Sequence, residues 1–125
     1  MKLLVDTHVL LWWLGGADEL AESAANAIAD PGNLVAVSAA SLWEISIKRS
    51  LGKLRVEGEL HEAVVSGGFE PLPISLEHAD AAGQLPPHHR DPFGRMLVAQ
   101  AQSEGLTVVT RDLAFADYEI PLLTA

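Results

Sequence analysis

The chain has 125 residues, 49% apolar and 20% charged, and its 8 Lys+Arg against 17 Asp+Glu give a formal net charge of −9. That length fits one domain, and that apolar content supplies a packed core and is too high for a disordered chain. The charge argues against a protein that coats nucleic acid by bulk attraction, which needs a basic patch or stripe; the absence of cysteine excludes disulfides, thiolate metal sites, iron–sulfur clusters and a cysteine nucleophile.

In chain order, Lys2 to Asp6 reads as a short buried strand, because a continuous apolar run suits a parallel strand covered on both faces. Thr7 to Leu14 reads as a helix closed by Gly15-Gly16, and Asp18 to Asp30 as an alanine-rich second helix. The longest unbroken apolar run is Val9 to Leu14, far short of the ~20 residues that span a bilayer. Asp6 and His8 interrupt any export signal, so the expected compartment is the cytoplasm, with no membrane partner.

Leu34 to Val37 is the second predicted strand, and Ser38 to Leu51 a helix stopped by Gly52. Glu59 to Ser66 is a shorter helix. Pro71 to Ile74 is extended, and its two prolines confine it to a sheet edge. Ser75 to Leu85 is a helix with Glu77 in its first turn. Asp91-Pro92 opens the next, with Asp as N-cap and Pro at the first helical position, and Gly105 closes it. Leu106 to Thr110 is a β-branched strand, and Tyr118 to Leu123 a last one. Strands alternating with helices predict an α/β fold: a parallel sheet with helices on both faces, residues 1–125 forming one domain.

The acids matter by position. Asp6 ends the first strand and Asp112 follows the strand that ends at Thr110. In open parallel sheets, ligands bind outside the carboxyl ends of the strands. Glu44 lies near the start of the helix leaving strand two, and Asp91 caps another helix start. Asp6, Glu44, Asp91 and Asp112 are therefore expected to converge on one pocket. Clustered carboxylates raise each other's pKa, and a hard divalent cation relieves them. Mg²⁺ or Mn²⁺ suits oxygen ligands and serves phosphoryl chemistry. For Asp91 a plain capping role competes with this reading.

Four segments carry a resemblance. Leu4-Val-Asp6-Thr7-His8, then Ser38-Ala-Ala-Ser41-Leu-Trp-Glu44 with Gly52-Lys53-Leu54, then His89-Arg-Asp-Pro-Phe-Gly-Arg, then Val108-Val-Thr110-Arg-Asp112 occur in this order. Together they resemble the motifs of PIN-domain proteins of the VapC type, the toxins of bacterial toxin–antitoxin pairs. The resemblance implies a three-layer α/β/α sandwich with a mostly parallel sheet of four to five strands. It also implies a Mg²⁺- or Mn²⁺-dependent endoribonuclease, a homodimer, and a VapB-type antitoxin that occludes the site. Asp6, Glu44, Asp91 and Asp112 would be the catalytic metal ligands. Thr110 would orient Asp112 or hold a metal-bound water. Thr7, Lys48, Arg95 and Arg111 are candidate substrate contacts.

One position departs from the resembled pattern. The third motif usually reads Asp-Pro-Phe-Asp-Arg, and here Gly94 replaces the second acid. Positions 91 and 94 share a helix face, and a helical glycine costs up to ~1 kcal/mol relative to Ala. Nothing in the local sequence asks for it. Gly94 therefore opens a second reading, a PIN-fold protein with weakened or lost catalysis that still binds an antitoxin. His88 and His89 sit in a proline-bounded loop and read more readily as surface residues than as a metal-binding or general-acid pair. Trp12, Trp13 and Trp43 read as core or dimer-interface anchors. A receiver-type signalling domain has similar length and also binds Mg²⁺, but it needs paired acids after strand one and a late Lys. This chain has no Lys after residue 53.

Overall fold

The computed structural model describes residues 1–125. Its elements are β1 (Lys2–Val5), α1 (Thr7–Leu14), α2 (Glu22–Ala29), β2 (Leu34–Ser38), α3 (Ala39–Ser50), α4 (Leu60–Ser66), β3 (Glu70–Leu72), α5 (Leu76–Gln84), α6 (Pro92–Glu104), β4 (Thr107–Thr110), a 3₁₀ helix (Leu113–Asp117) and β5 (Leu122–Thr124). The five strands form one sheet in the order β3-β2-β1-β4-β5, and every neighbouring pair is parallel. The chain winds outward from β1 to β3, then returns to place β4 on the other side of β1. The switch point of the sheet lies between β1 and β4.

Side chains alternate across the sheet, so each central strand feeds two cores. Leu3 and Val5 of β1 pack with Val35, Val37, Val9, Leu10, Ile28, Val64 and Phe69 on one face. Leu4 packs on the other with Ala36, Val108, Leu97, Val98, Phe115 and Tyr118. Helices cover both faces, which makes the three-layer α/β/α sandwich. The order 3-2-1-4-5 also separates this fold from the 2-1-3-4-5 sheet of receiver-type domains. The edge strands carry the prolines: Pro71 lies in β3 and Pro121 just before β5.

Most boundaries shift by one or two residues, the third strand spanning Glu70–Leu72 instead of Pro71 to Ile74, and two move further. The second helix begins at Glu22 rather than near Asp18, because Ala17 takes a left-handed φ of 67° after the α1 stop and turns the chain. The last strand begins at Leu122 rather than Tyr118. Tyr118 is buried beneath the sheet, and its hydroxyl accepts from the His89 N–H at 3.0 Å and donates to the Pro86 carbonyl at 2.7 Å. That pull keeps Tyr118 off the ladder.

One polar network ties β2, the segment after β3 and α6. Gln100 is fully buried. Its Oε1 accepts from the Ser38 hydroxyl at 2.5 Å, and its Nε2 donates to the Pro73 carbonyl at 3.2 Å. The Ser38 oxygen also caps α3 by accepting from the Ala40 N–H at 3.0 Å. Buried polar groups stripped of a partner cost about 1–3 kcal/mol each. Replacing Gln100 by Leu is therefore expected to lower the unfolding free energy by about 2 kcal/mol. In urea titrations the midpoint falls while the slope stays unchanged.

Candidate active site

The parallel register aligns Val5 with both Val37 and Val109. One step further along, Asp6, Ser38 and Thr110 leave the sheet side by side. Asp6 is the N-cap of α1: its Oδ1 accepts from the Val9 N–H at 2.8 Å. Its Oδ2 accepts from the Thr110 hydroxyl at 2.5 Å. Thr110 in turn accepts from the Asp112 N–H at 3.0 Å, so one hydroxyl fixes both acids. Thr110 thus meets Asp112 through the Asp112 backbone N–H, and its hydroxyl proton goes to the Asp6 carboxylate.

Asp112 caps the 3₁₀ helix through Oδ1 on the Ala114 N–H at 2.9 Å. Asp91 caps α6 through Oδ1 on the Phe93 N–H at 3.1 Å. Capping and site-lining thus coincide at Asp91. Glu44 comes from inside α3. Its Oε1 accepts from the Thr7 hydroxyl at 2.7 Å and its Oε2 pairs with Lys48 at 2.8 Å, one turn along the same helix.

These residues surround one cleft of about 150 Å³ beside the switch point, lined by Asp6, Thr7, Glu44, Lys48, Asp91 and Asp112, with His8, His89, Gly94, Leu97 and Phe115 completing the wall. At ~30 Å³ per water, it holds about five waters. That is room for ions and a phosphate group. A larger hollow of about 310 Å³ beside β3 is lined by Val37, Leu42, Val64, Pro71 and similar apolar groups. It holds no carboxylate, whereas all four predicted acids line the smaller cleft.

Burial raises the Asp6 pKa above its ordinary value of 3.8, and the nearby Asp112 charge adds to the rise. The bonds from Thr110 and Val9 and the neighbouring His8 oppose it without cancelling it. An acid pushed up by desolvation is poised to accept a cation that offsets the lost water.

Four predicted substrate contacts divide. Lys48 lines the cleft. Thr7 lines it too, but spends its hydroxyl on Glu44. Arg95 and Arg111 are not brought to it. The Arg95 guanidinium donates to the carbonyls of Ala82 and Leu85 at 2.8 and 2.9 Å, closing the end of α5. Arg111 donates to the carbonyls of Ala125 and Glu19, and its guanidinium lies 4.4 Å over the Trp12 ring. Both are held by unpaired backbone acceptors, which adjacency to an acidic motif does not reveal. Trp43 is exposed and meets Phe93 edge-on at 5.4 Å, so it is not a core anchor.

The sequence reading missed His89. Its side chain is only 11% exposed, and Nε2 lies 2.9 Å from Asp112 Oδ2. His88 stacks edge-on against Tyr118 at 5.1 Å and stays out of the cleft. The available signal was sequence proximity to Asp91, which does not tell the two histidines apart.

A family profile described as the PIN domain matches residues 3–121. The chain belongs to the PIN-domain family. Members of that family are nucleases, so a hydrolase is the coarse expectation for this fold. Among curated proteins none is significantly similar in sequence. Solved structures share the fold, among them the following three. The chain superimposes on VapBC2 from Rickettsia felis bound to a promoter DNA fragment with a TM-score of 0.70 and 16% identity, over 99% of this chain and 98% of that one. For DNA-bound VapBC from Salmonella typhimurium the values are 0.63 and 22%, over 99% and 98%. For VapBC-5 from Mycobacterium tuberculosis they are 0.62 and 20%, over 98% and 96%. No helix of this PIN domain is long and apolar enough to cross a membrane.

The raised Asp6 pKa carries a stability consequence. Without a cation, the contribution of Asp6 is full below pH 3.8 and is lost as pH rises through its higher folded value. Asp6→Asn removes that ionisation while keeping a good N-cap. In chelator at pH 7 the variant is expected to melt a few degrees above the parent. The gap closes as the pH falls through the carboxylate range, followed by thermal unfolding across pH 3 to 7.

Proposed function

We propose that this PIN domain is a divalent-cation-dependent endoribonuclease of the VapC type, the toxin of a VapBC-like pair. The observation that carries the reading is the convergence of Asp6, Glu44, Asp91 and Asp112 on one cleft at the switch point of the sheet. The donor chemistry fits Mg²⁺ or Mn²⁺: four carboxylates, no sulfur, and a volume that also admits waters. No three acidic or imidazole side chains are gathered tightly enough to form a closed cage. Mg²⁺ does not need one, since it keeps several waters and binds through one or two carboxylates.

When bound, such an ion offsets phosphate charge and lowers the pKa of an attacking water. The protein's own part is placement. Asp6 and Asp91 each keep one oxygen off the capping bond, and Asp112 and Glu44 hold theirs through His89 and Lys48. Lys48 supplies positive charge at the rim, where an RNA phosphate enters. No residue of the cleft needs to act as a nucleophile; water displaces one ester oxygen from phosphorus.

The whole chain, residues 1–125, would act as a single PIN domain in the cytoplasm. Among the structural neighbours, one from Klebsiella pneumoniae is described as a toxin–antitoxin complex and VapBC-5 as a member of the VapBC family of toxin–antitoxin systems, which supports a VapB-type partner here. The exposed Trp43 with Phe93 edge-on supports a homodimer contact. Gly94 favours a second reading, a PIN-fold binding protein with weakened or lost catalysis, because α6 then brings one acid to the cleft instead of two.

RNA incubated with the pure protein is expected to be cut in Mg²⁺ or Mn²⁺ and to stay intact in chelator. Losing a ligand of the ion removes several kcal/mol of transition-state stabilisation. Asp6→Asn should therefore slow cleavage at least ~100-fold in a gel-resolved time course. Cleavage that persists in chelator sinks the metal reading. Silence of the parent protein with activity in Gly94→Asp supports the second one.

A further inference from the structure

Gly94 has a reason that lies across the cleft rather than in α6. A Cβ on Gly94 would stand 2.6 Å from His89 Nε2, 2.9 Å from its Cδ2 and 3.0 Å from its Cε1. No side chain at position 94 coexists with the imidazole where it sits. The imidazole fills the volume that the second acid of the resembled motif would enter.

That ring is firmly held. Its Nδ1 accepts from the Asp91 N–H at 3.2 Å, its Nε2 meets Asp112 Oδ2 at 2.9 Å, and it packs T-shaped with the Phe115 ring at 5.2 Å. The backbone N–H of His89 is anchored on the Tyr118 hydroxyl at 3.0 Å. With Nδ1 used as an acceptor, the hydrogen of the neutral ring sits on Nε2. Position 94 thus gives up an oxygen ligand, and the loop before α6 supplies an N–H donor in its place. In a wall made of carboxylates, Lys48, His8 and His89 are the side chains near which a phosphate oxygen finds a donor.

We propose that His89 is a catalytic residue. Its Nε2–H exchanges Asp112 for a non-bridging oxygen of the scissile phosphodiester, and Gly94 is the residue that admits the ring. The proposal rests on the nuclease reading above. Donors aimed at the charge of a reacting phosphate are worth far more in a narrow cleft than in water.

The test has a binding arm that needs no turnover. A fluorescein-labelled 2′-O-methyl hexaribonucleotide is titrated by anisotropy in Ca²⁺, and Mn²⁺ affinity is measured by calorimetry on the same proteins. His89→Ala is expected to weaken oligonucleotide binding about tenfold and to lower RNA cleavage about 100-fold, with Mn²⁺ affinity kept within about threefold. His89→Gln, which retains an N–H donor, recovers most of the loss. Gly94→Ala leaves His89 in the chain but takes its space, and reproduces the His89→Ala loss. Parent-like binding and cleavage in His89→Ala or Gly94→Ala overturns the proposal. So does a fall of Mn²⁺ affinity in step with oligonucleotide binding, since His89 would then only steer Asp112. Asp6→Asn separates the two levels: if it binds Mn²⁺ like the parent, the metal reading itself fails, whatever His89 does.

Discussion

Every helix that leaves the carboxyl edge of a parallel sheet begins there with unpaired N–H groups. In this PIN domain the acceptors for three such starts are Asp6, Asp91 and Asp112. Each spends one carboxylate oxygen on the backbone, and that bond fixes where the other points. The fold's need for caps and the site's need for placed carboxylates are met by the same atoms. The positive ends of the helices also temper the repulsion that would drive the acids apart. Glu44 is the exception. It lies inside α3 and is held instead by Thr7 and Lys48.

The cleft's charge is only partly balanced by the protein itself. Lys48 answers Glu44, and Thr110 and Val9 support Asp6, yet Asp6 still titrates high because burial outweighs those bonds. A fold that keeps an acid under such strain gains stability from any cation that enters. Binding of an ion and stability of the edge are therefore linked, since a ligand that prefers the folded state stabilises it by mass action.

Most of this was readable in the chain. The buried strands β1 and β4, the Asp-Pro start of α6 and the proline-bearing edges follow from local rules, and the order of elements implies the parallel sheet. The convergence of the four acids follows from one topological rule about strand ends. What was not readable has a common physical character. Arg95 and Arg111 look like substrate contacts until backbone carbonyls from Ala82, Leu85, Glu19 and Ala125 claim them. Tyr118 looks like strand until its hydroxyl finds His89 and Pro86. Gln100 carries no signal of its own in the sequence and is a buried tie between α6 and Ser38. Each depends on a partner remote in sequence, and no periodicity or spacing carries that information.

The net charge of −9 and the proposed RNA substrate still have to be reconciled. A polyanion is not drawn by the whole surface of such a chain, and of the cations suggested by sequence, Arg95 and Arg111 are already committed. What remains at the cleft is local: Lys48, the imidazoles of His8 and His89, and the cation that the carboxylates would hold under the proposed reading. An interface of that kind neutralises few phosphates, and salt dependence scales with the number neutralised. Attraction then comes from the reacting phosphate and its immediate neighbours rather than from the length of the RNA. Selectivity in such a protein is set by which phosphates can reach a narrow cleft. The shape of the substrate backbone therefore counts for more than its total charge.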